Sequence, residues 1–322
     1  MSRALAAGLA LLLSLAFIAS LTTPWSPIAA LFPQDPELAW ALLVELRLPR
    51  AALALVYGAT LGASGAAIQA LFANPLASPD LTGTTSGAAL GAVVTAYLLG
   101  FTAPIALSLG AVAGALGALA LLLALAGPRA ETATLLLSGL AISALAGALT
   151  TLALALAPSP FAFYDAYDWL MGSLVDRSLA QTAFAAVPAL LTIAWLLRLT
   201  GPLDSLALGE EVAQSLGHDV LRLRLQIVCL TALGVGACVA IAGAIGFIGL
   251  VAPIFARRLT RGHPGRALLP AAAIGALLLT AADLAVRTVP LGRTLPIGVV
   301  TALLGAPFFL WLVAHMRFRL RS

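Results

Sequence analysis

Hydrophobic residues run along this chain in long blocks, each closed by proline, glycine or a charged residue, with the polar positions gathered between them. Blocks of about 20 residues match the hydrocarbon thickness of a bilayer when coiled as α-helix. Their boundaries predict spans at Ala4 to Leu21, Ala51 to Phe72, Leu81 to Leu99, Ala103 to Ala126, Thr132 to Ala157, Leu179 to Leu199, Leu221 to Ala242, Ala244 to Leu259, Ala267 to Val289 and Ile297 to His315. They must be helical. Backbone polar groups in hydrocarbon need partners within their own segment, and the alternating polar face of a membrane barrel is missing.

Composition agrees: 61% of the 322 residues are hydrophobic and 9% charged, against about 45–50% and about 25% in soluble domains. Little chain is left for a soluble module, so a single all-α transmembrane domain over residues 1–322 is expected. The block from Ala4 to Leu21 also fits a cleaved signal peptide ending near Ala19 and Ser20. With so many spans behind it, an uncleaved first helix is the expected reading.

All 17 basic residues are arginine, and the net charge of +4 is spread over the connections, which argues against a nucleic-acid partner. Placed by span parity, Arg3, Arg129, Arg198, Arg222, Arg224, Arg257, Arg258, Arg261, Arg266, Arg317, Arg319 and Arg321 share one side, and Arg47, Arg50, Arg177, Arg287 and Arg293 the other. Cytoplasmic loops hold the excess of positive charge, so both termini are expected in the cytoplasm. The two cysteines, Cys229 and Cys238, lie on one predicted helix about 13 Å apart, too far to pair, and read as small buried side chains.

Glycines four residues apart, as in Gly58 and Gly62, Gly87 and Gly91, and Gly110 and Gly114, let helix backbones approach closely. Pro253, Pro270 and Pro307 interrupt spans, while Asn74-Pro75 and Ser78-Pro79 end one. A faint repeat pairs Gly65-Ala66 and Pro75 with Gly243-Ala244 and Pro253 at the same interval.

A chain without lysine cannot supply the GxxxxGK[ST] phosphate loop, and HExxH, CxxC and GxSxG are also absent. No catalytic residue is expected here; any ATP hydrolysis belongs to a partner. An ion-coupled secondary transporter would need ionisable groups in mid-span. Span centres are nearly free of charge, and the i, i+4 pair Asp283 and Arg287 lies toward a helix end as a structural or docking pair. The longest polar stretch, Gly201 to Arg224, is divided by Gly209 and Gly217 into two short amphipathic helices, which read either as a solvated loop or as a surface for a partner's groove.

At these residues the chain resembles the iron-siderophore, haem and vitamin B12 permease family of ABC importers, from about Arg47 to Trp311. The resemblance rests on Arg47-Leu48-Pro49-Arg50; Gly65 through Gln69 to Asn74-Pro75-Leu76; Thr85-Ser86-Gly87-Ala88; Trp169-Leu170-Met171-Gly172-Ser173-Leu174; Leu208-Gly209-Glu210-Glu211-Val212-Ala213 with Leu216-Gly217; Gly246 to Pro253; and Leu295-Pro296-Ile297-Gly298-Val299-Val300-Thr301 with Gly305-Ala306-Pro307. Order and spacing together make it specific.

The resemblance implies a type II ABC importer permease fold of about ten helices in the bacterial inner membrane. It further implies a homodimer, two ATP-binding-cassette ATPase subunits that use ATP and Mg, a periplasmic substrate-binding protein, and alternating access along the dimer axis. No cofactor is expected in this chain. Family helices that line the path point to Ser138, Gly139, Ser143, Gly147 and Thr301; Asn74-Pro75-Leu76 matches the cytoplasmic gate. The segment 203–217 matches the coupling helices, with Leu206, Leu208, Gly209, Glu210, Glu211, Val212, Ala213, Leu216 and Gly217 facing the ATPase. Arg47, Arg50 and Arg287 match periplasmic arginines that meet acidic residues of the binding protein, though they also read as helix-end anchors. Thr294 stands where the family commonly has glutamate, and Ile254 where it has histidine.

Overall fold

Proline and glycine set most helix boundaries. The computed structural model describes residues 3–101, 103–127, 132–288 and 295–319. The elements are α1 (Arg3–Thr22), α2 (Ser26–Leu31), α3 (Pro36–Ala41), a π-helical turn (Leu42–Arg47), α4 (Leu48–Leu71), a 3-10 turn (Pro79–Thr82), α5 (Thr84–Tyr97), α6 (Pro104–Ala126), α7 (Thr132–Ala155), α8 (Pro160–Leu170), α9 (Leu179–Arg198), α10 (Thr200–Leu206), α11 (Glu210–Ser215), α12 (Val220–Ala242), α13 (Ile248–Leu259), α14 (Leu268–Thr288) and α15 (Ile297–Arg319). Proline occupies the first turn of α2, α3, α4, α6 and α8, where its missing N–H costs no hydrogen bond. Ser178 and Gln181 close a capping box on α9, and Asp219 caps α12.

Each predicted span meets a helix. Seven stretches are long and apolar enough to cross a membrane, in α1, α3 through α4, α6, α7, α9, α12 and α14. The chain is a multi-pass membrane protein, and no strand occurs among the described residues. Two predicted spans are shorter than their apolar blocks. The Leu81 block opens with the 3-10 turn and Gly83 in the left-handed region before α5 begins, and the Ala244 block stays irregular from Gly243 to Phe247, whose φ angles are 72° and 66°. Irregular backbone at this depth persists only where protein satisfies it. Here the Tyr57 hydroxyl donates to the Gly243 carbonyl at 3.0 Å, and the Ser173 N–H to that of Ala242 at 2.8 Å.

Helix α4 is the axle, buried along nearly its whole length and packed against α9, α12, α13 and α14. Glycine makes this possible. A Cβ at Gly62 would sit 2.0 Å from the Ala271 carbonyl oxygen, one at Gly58 2.4 Å from that of Gly275, and one at Gly65 1.8 Å from that of Gly249. Between α5 and α6, a Cβ at Gly91 would lie 2.1 Å from the Gly110 oxygen. The glycine spacing therefore marks real backbone contacts. The Gly-Ala to Pro repeat has no structural counterpart, since Gly65 lies inside α4 but Gly243 ends α12, and Pro75 lies in a turn but Pro253 inside α13. Both cysteines lie on α12 as free thiols.

Gly62→Val should push α4 from α14 and destabilise the protein by about 1–3 kcal/mol. Gly117→Ala, where nothing lies within 4 Å, should change little. Thermal unfolding of the purified variants in one detergent checks both.

Candidate functional site

The predicted gate lies where α4 ends. Asn74 folds the turn, its N–H bonding the Gln69 carbonyl at 3.1 Å and its side-chain oxygen accepting from the Leu76 N–H at 2.9 Å. Pro75 and Leu76 are half-buried at the surface of this turn, and the chain then enters the 3-10 turn through Pro79. Fully buried Gln69 ties the end of α4 to α13 through the Leu250 carbonyl, at 3.1 Å.

Two of the predicted path residues turn out to pack on that segment. A Cβ at Gly139 would lie 1.9 Å from the Leu81 carbonyl oxygen, and the Ser143 hydroxyl donates to the Asp80 carbonyl at 3.1 Å. Helix α7 is thereby keyed to the stretch following the gate turn. Ser138 is half-buried, Gly147 is exposed with nothing within 4 Å of its added Cβ, and Thr301 is buried with its hydroxyl on the Gly298 carbonyl. Within one chain α7 packs on α5, α6, α8 and the 3-10 turn, whereas α15 packs on α13 and α14. Thr301 is therefore not brought together with the α7 set.

Sequence reasoning missed Asp80, although a lone acid in an apolar stretch was a usable signal. Its carboxylate accepts from the Thr85 hydroxyl at 2.9 Å. Burial pushes this carboxyl above the usual range, and the Thr85 bond partly offsets that.

The segment 203–217 forms two short helices, divided at Gly209 with φ 110° and ended at Gly217 with φ 85°. Leu203 and Ala213 are fully buried and Leu206 half-buried, anchoring the pair to the bundle. On the outer face Leu208 is 69% exposed, Val212 41% and Leu216 59%. Val212 and Leu216, four positions apart along α11 and its C-cap, share one side as an apolar stripe, and Leu208 adds an exposed leucine just before the Gly209 break. Glu210 pairs with Arg224 at the start of α12, Glu211 stays exposed, and Asp204 accepts from the Gly265 N–H at 2.8 Å. These contacts hold the stripe rigidly against the ends of α12 and α14.

Of the three arginines assigned to docking, two meet on a single carboxylate and the third holds backbone carbonyls beside it. Asp283 is 1% exposed and takes Arg50 at 2.7 Å on one oxygen and Arg287 on the other. Arg287 also donates to the Ser20 carbonyl at 2.8 Å, and Arg47 reaches the carbonyls of Leu21 at 2.8 Å and Pro24 at 2.6 Å. So these side chains do anchor helix ends, clasping α1 to α4 and α14. Three guanidiniums against one carboxylate leave two positive charges in excess.

At the same end, a cavity of about 850 Å³ lies beneath α8, lined by Tyr97, Trp169, Asp168, Asp176, Arg177 and Leu295 among others. The Arg177 Nε is buried without a partner; burial lowers its proton affinity and neighbouring Asp176 partly restores it. Position 294, one of the two departures from the family pattern, lies outside the described residues, as do Arg129, Arg293 and Arg321.

Residues 6–315 match the family model of the FecCD transport family. The chain belongs to that family. It is 40% identical over 301 residues to the vitamin B12 import system permease protein BtuC of Vibrio cholerae serotype O1, covering 90% of this chain and 86% of that one. It is 38% identical over 274 residues to the Fe(3+)-citrate import system permease protein YfmE of Bacillus subtilis, covering 84% and 81%. A solved structure described as an inward-facing conformation of a metal-chelate type ABC transporter superposes with a TM-score of 0.86 at 32% identity, over 98% of this chain and 100% of the other. The fold is the type II ABC importer permease fold that the resemblance implied. Among the described residues no cluster of metal-ligating side chains occurs.

Replacing Asp283 by alanine should strand two guanidiniums and cost about 3–5 kcal/mol. A smaller loss of unfolding temperature than in the Gly62 variant would show that the outer clasp carries little stability.

Proposed function

We propose that this chain is the transmembrane permease subunit of an ABC importer moving an iron chelate, either a ferric siderophore or haem, from periplasm to cytoplasm. The stripe of Leu208, Val212 and Leu216 carries this reading. A rigidly mounted apolar ridge on a membrane protein without a nucleotide site of its own is what a separate ATPase needs to push against. Vitamin B12 is the second reading, favoured by the 40% identity to a vitamin B12 import permease. Fe(3+)-citrate import by another relative keeps iron chelates in the same class.

In this reading two copies flank the path. The exposed leucines of α7 and α15, Leu137, Leu145, Leu303 and Leu310 among them, supply apolar area for a second copy as well as for lipid. Ser138, Gly139, Ser143, Gly147 and Thr301 line the path, and Asn74, Pro75 and Leu76 close it at the cytoplasmic face. Two ATP-binding-cassette subunits, holding ATP and Mg, dock on 203–217. Their closure moves α10 and α11 as one body and transmits alternating access to α12 and, through Asp204, to α14. A periplasmic binding protein presents carboxylates to the excess charge of Arg47, Arg50 and Arg287. Exposed pairs contribute only about 0–1 kcal/mol each, so these arginines set register and steer encounter more than they add affinity. Both termini face the cytoplasm of a bacterial cell.

Changing Leu208, Val212 and Leu216 together to aspartate should abolish co-purification of the ATPase while lowering the unfolding temperature by no more than about 3 °C, since each exposed substitution seldom costs more than about 0.5 kcal/mol. Retained assembly and uptake would overturn the docking assignment. In vesicles, uphill uptake should stop when ATP is withdrawn at a held membrane potential, whereas uptake that persists identifies an ion-coupled carrier. Labelling of a single cysteine at position 215 from the cytoplasmic side only is the expected topology result.

A further inference from the structure

The inner end of α13 gathers charge that the rest of the chain leaves unanswered. Arg257, Arg258 and Arg261 follow one another there, and among the described residues none of them is paired with a carboxylate. Most acids at this end are engaged elsewhere, Glu210 with Arg224, Asp204 with Arg266 and the Gly265 N–H, and Asp219 with the first turn of α12, while Glu211 lies exposed on α11 and forms no ion pair with these arginines. Arg258 opens onto a cavity of about 290 Å³ between α13 and α15, whose other lining residues are Ile254, Phe255, Phe308 and Trp311. Phe255 and Phe308 are stacked at 5.7 Å, and Phe308 meets Trp311 at 5.8 Å. Phe255 is 39% and Trp311 51% exposed, so the slot is open along its side. Isoleucine at 254, in place of the family's histidine, leaves Arg258 as the single charged side chain of this lining among the described residues.

We propose that this slot is a binding site for one anionic phospholipid of the inner leaflet. The headgroup phosphate sits on Arg258 and an acyl chain lies along the Phe255 and Phe308 wall. A guanidinium matches phosphate oxygens with paired donors, and basic pockets between helices at an anionic leaflet are where such headgroups collect. A second copy of the chain fits less well. The apolar helices it would present, α1, α5, α6, α7 and α15, contain no Asp or Glu to answer Arg258, whereas a phospholipid brings anion and alkyl chain in one molecule. Occupancy would brace α13 against α15. Because α13 holds Gln69 and Gly65 of α4 beside the gate turn, the lipid acts on the element that sets the gate.

The inference uses the proposed orientation to name the leaflet, but lipid retention does not depend on sidedness. A failed topology result and a failed site are therefore separate outcomes. The full-length protein is purified from vesicles of equal phosphatidylglycerol and phosphatidylcholine, and retained lipid is counted by native mass spectrometry. Wild type should retain phosphatidylglycerol in preference by about five-fold, and Arg258→Gln should abolish that preference while Arg222→Gln, remote from the slot, keeps it. Should Arg258→Gln fail to fold, Ile254→Glu provides Arg258 with a carboxylate one turn away and must produce the same loss. Equal retention of both lipids by wild type, unchanged preference in Arg258→Gln, or efficient cross-linking of Phe308→Cys between two copies would overturn the site.

Discussion

Backbone contact between helices in a medium that supplies no hydrophobic force is the constraint on which this structure depends. Lipid is as apolar as leucine, so helices associate only where their surfaces fit closely enough to gain dispersion. Gly58, Gly62 and Gly65 give α4 three points at which a neighbouring backbone fills the place of a side chain, two against α14 and one against α13. Gly87 and Gly91 do the same between α5 and α6. The Asn74 turn, α7, α10 and α11 are all positioned by α4 or by elements packed on it.

Upon that frame the chain carries its irregular backbone. The stretches Pro79–Gly83 and Gly243–Phe247 would be intolerable facing lipid, and both are packed against other elements. Tyr57 satisfies a group in the second, and Asn74 one in the turn before the first, with side-chain bonds, while α7 closes on the first with Gly139 and Ser143. Small residues on α7 therefore do two things at once. Gly139 permits close packing against Leu81, and Ser143 donates to the Asp80 carbonyl.

Charge is used sparingly and at the ends. At one end of the bundle, one buried carboxylate organises Arg50 and Arg287 while Arg47 and Arg287 hold the last turn of α1 through its carbonyls. At the other end, ion pairs fix α10 and α11, and Arg258 stands beside an aromatic slot.

The sequence by itself determined the ten apolar blocks, the helical class, the division of 203–217 at Gly209 and Gly217, and the glycine faces, because each depends on local spacing or on a residue's own backbone freedom. Tertiary structure alone decided what those residues meet. Arg50 and Asp283 are 233 positions apart, and no periodicity links them. Hydrophobic residues surround most spans, so no apolar stripe tells which face of α7 turns inward, and nothing local predicts that Gly139 and Ser143 meet Leu81 and Asp80. The short helices α2, α3 and α8 fell in connections whose proline and aromatic content resembles loops. They are held by packing rather than by intrinsic propensity, since segments this short are marginal alone.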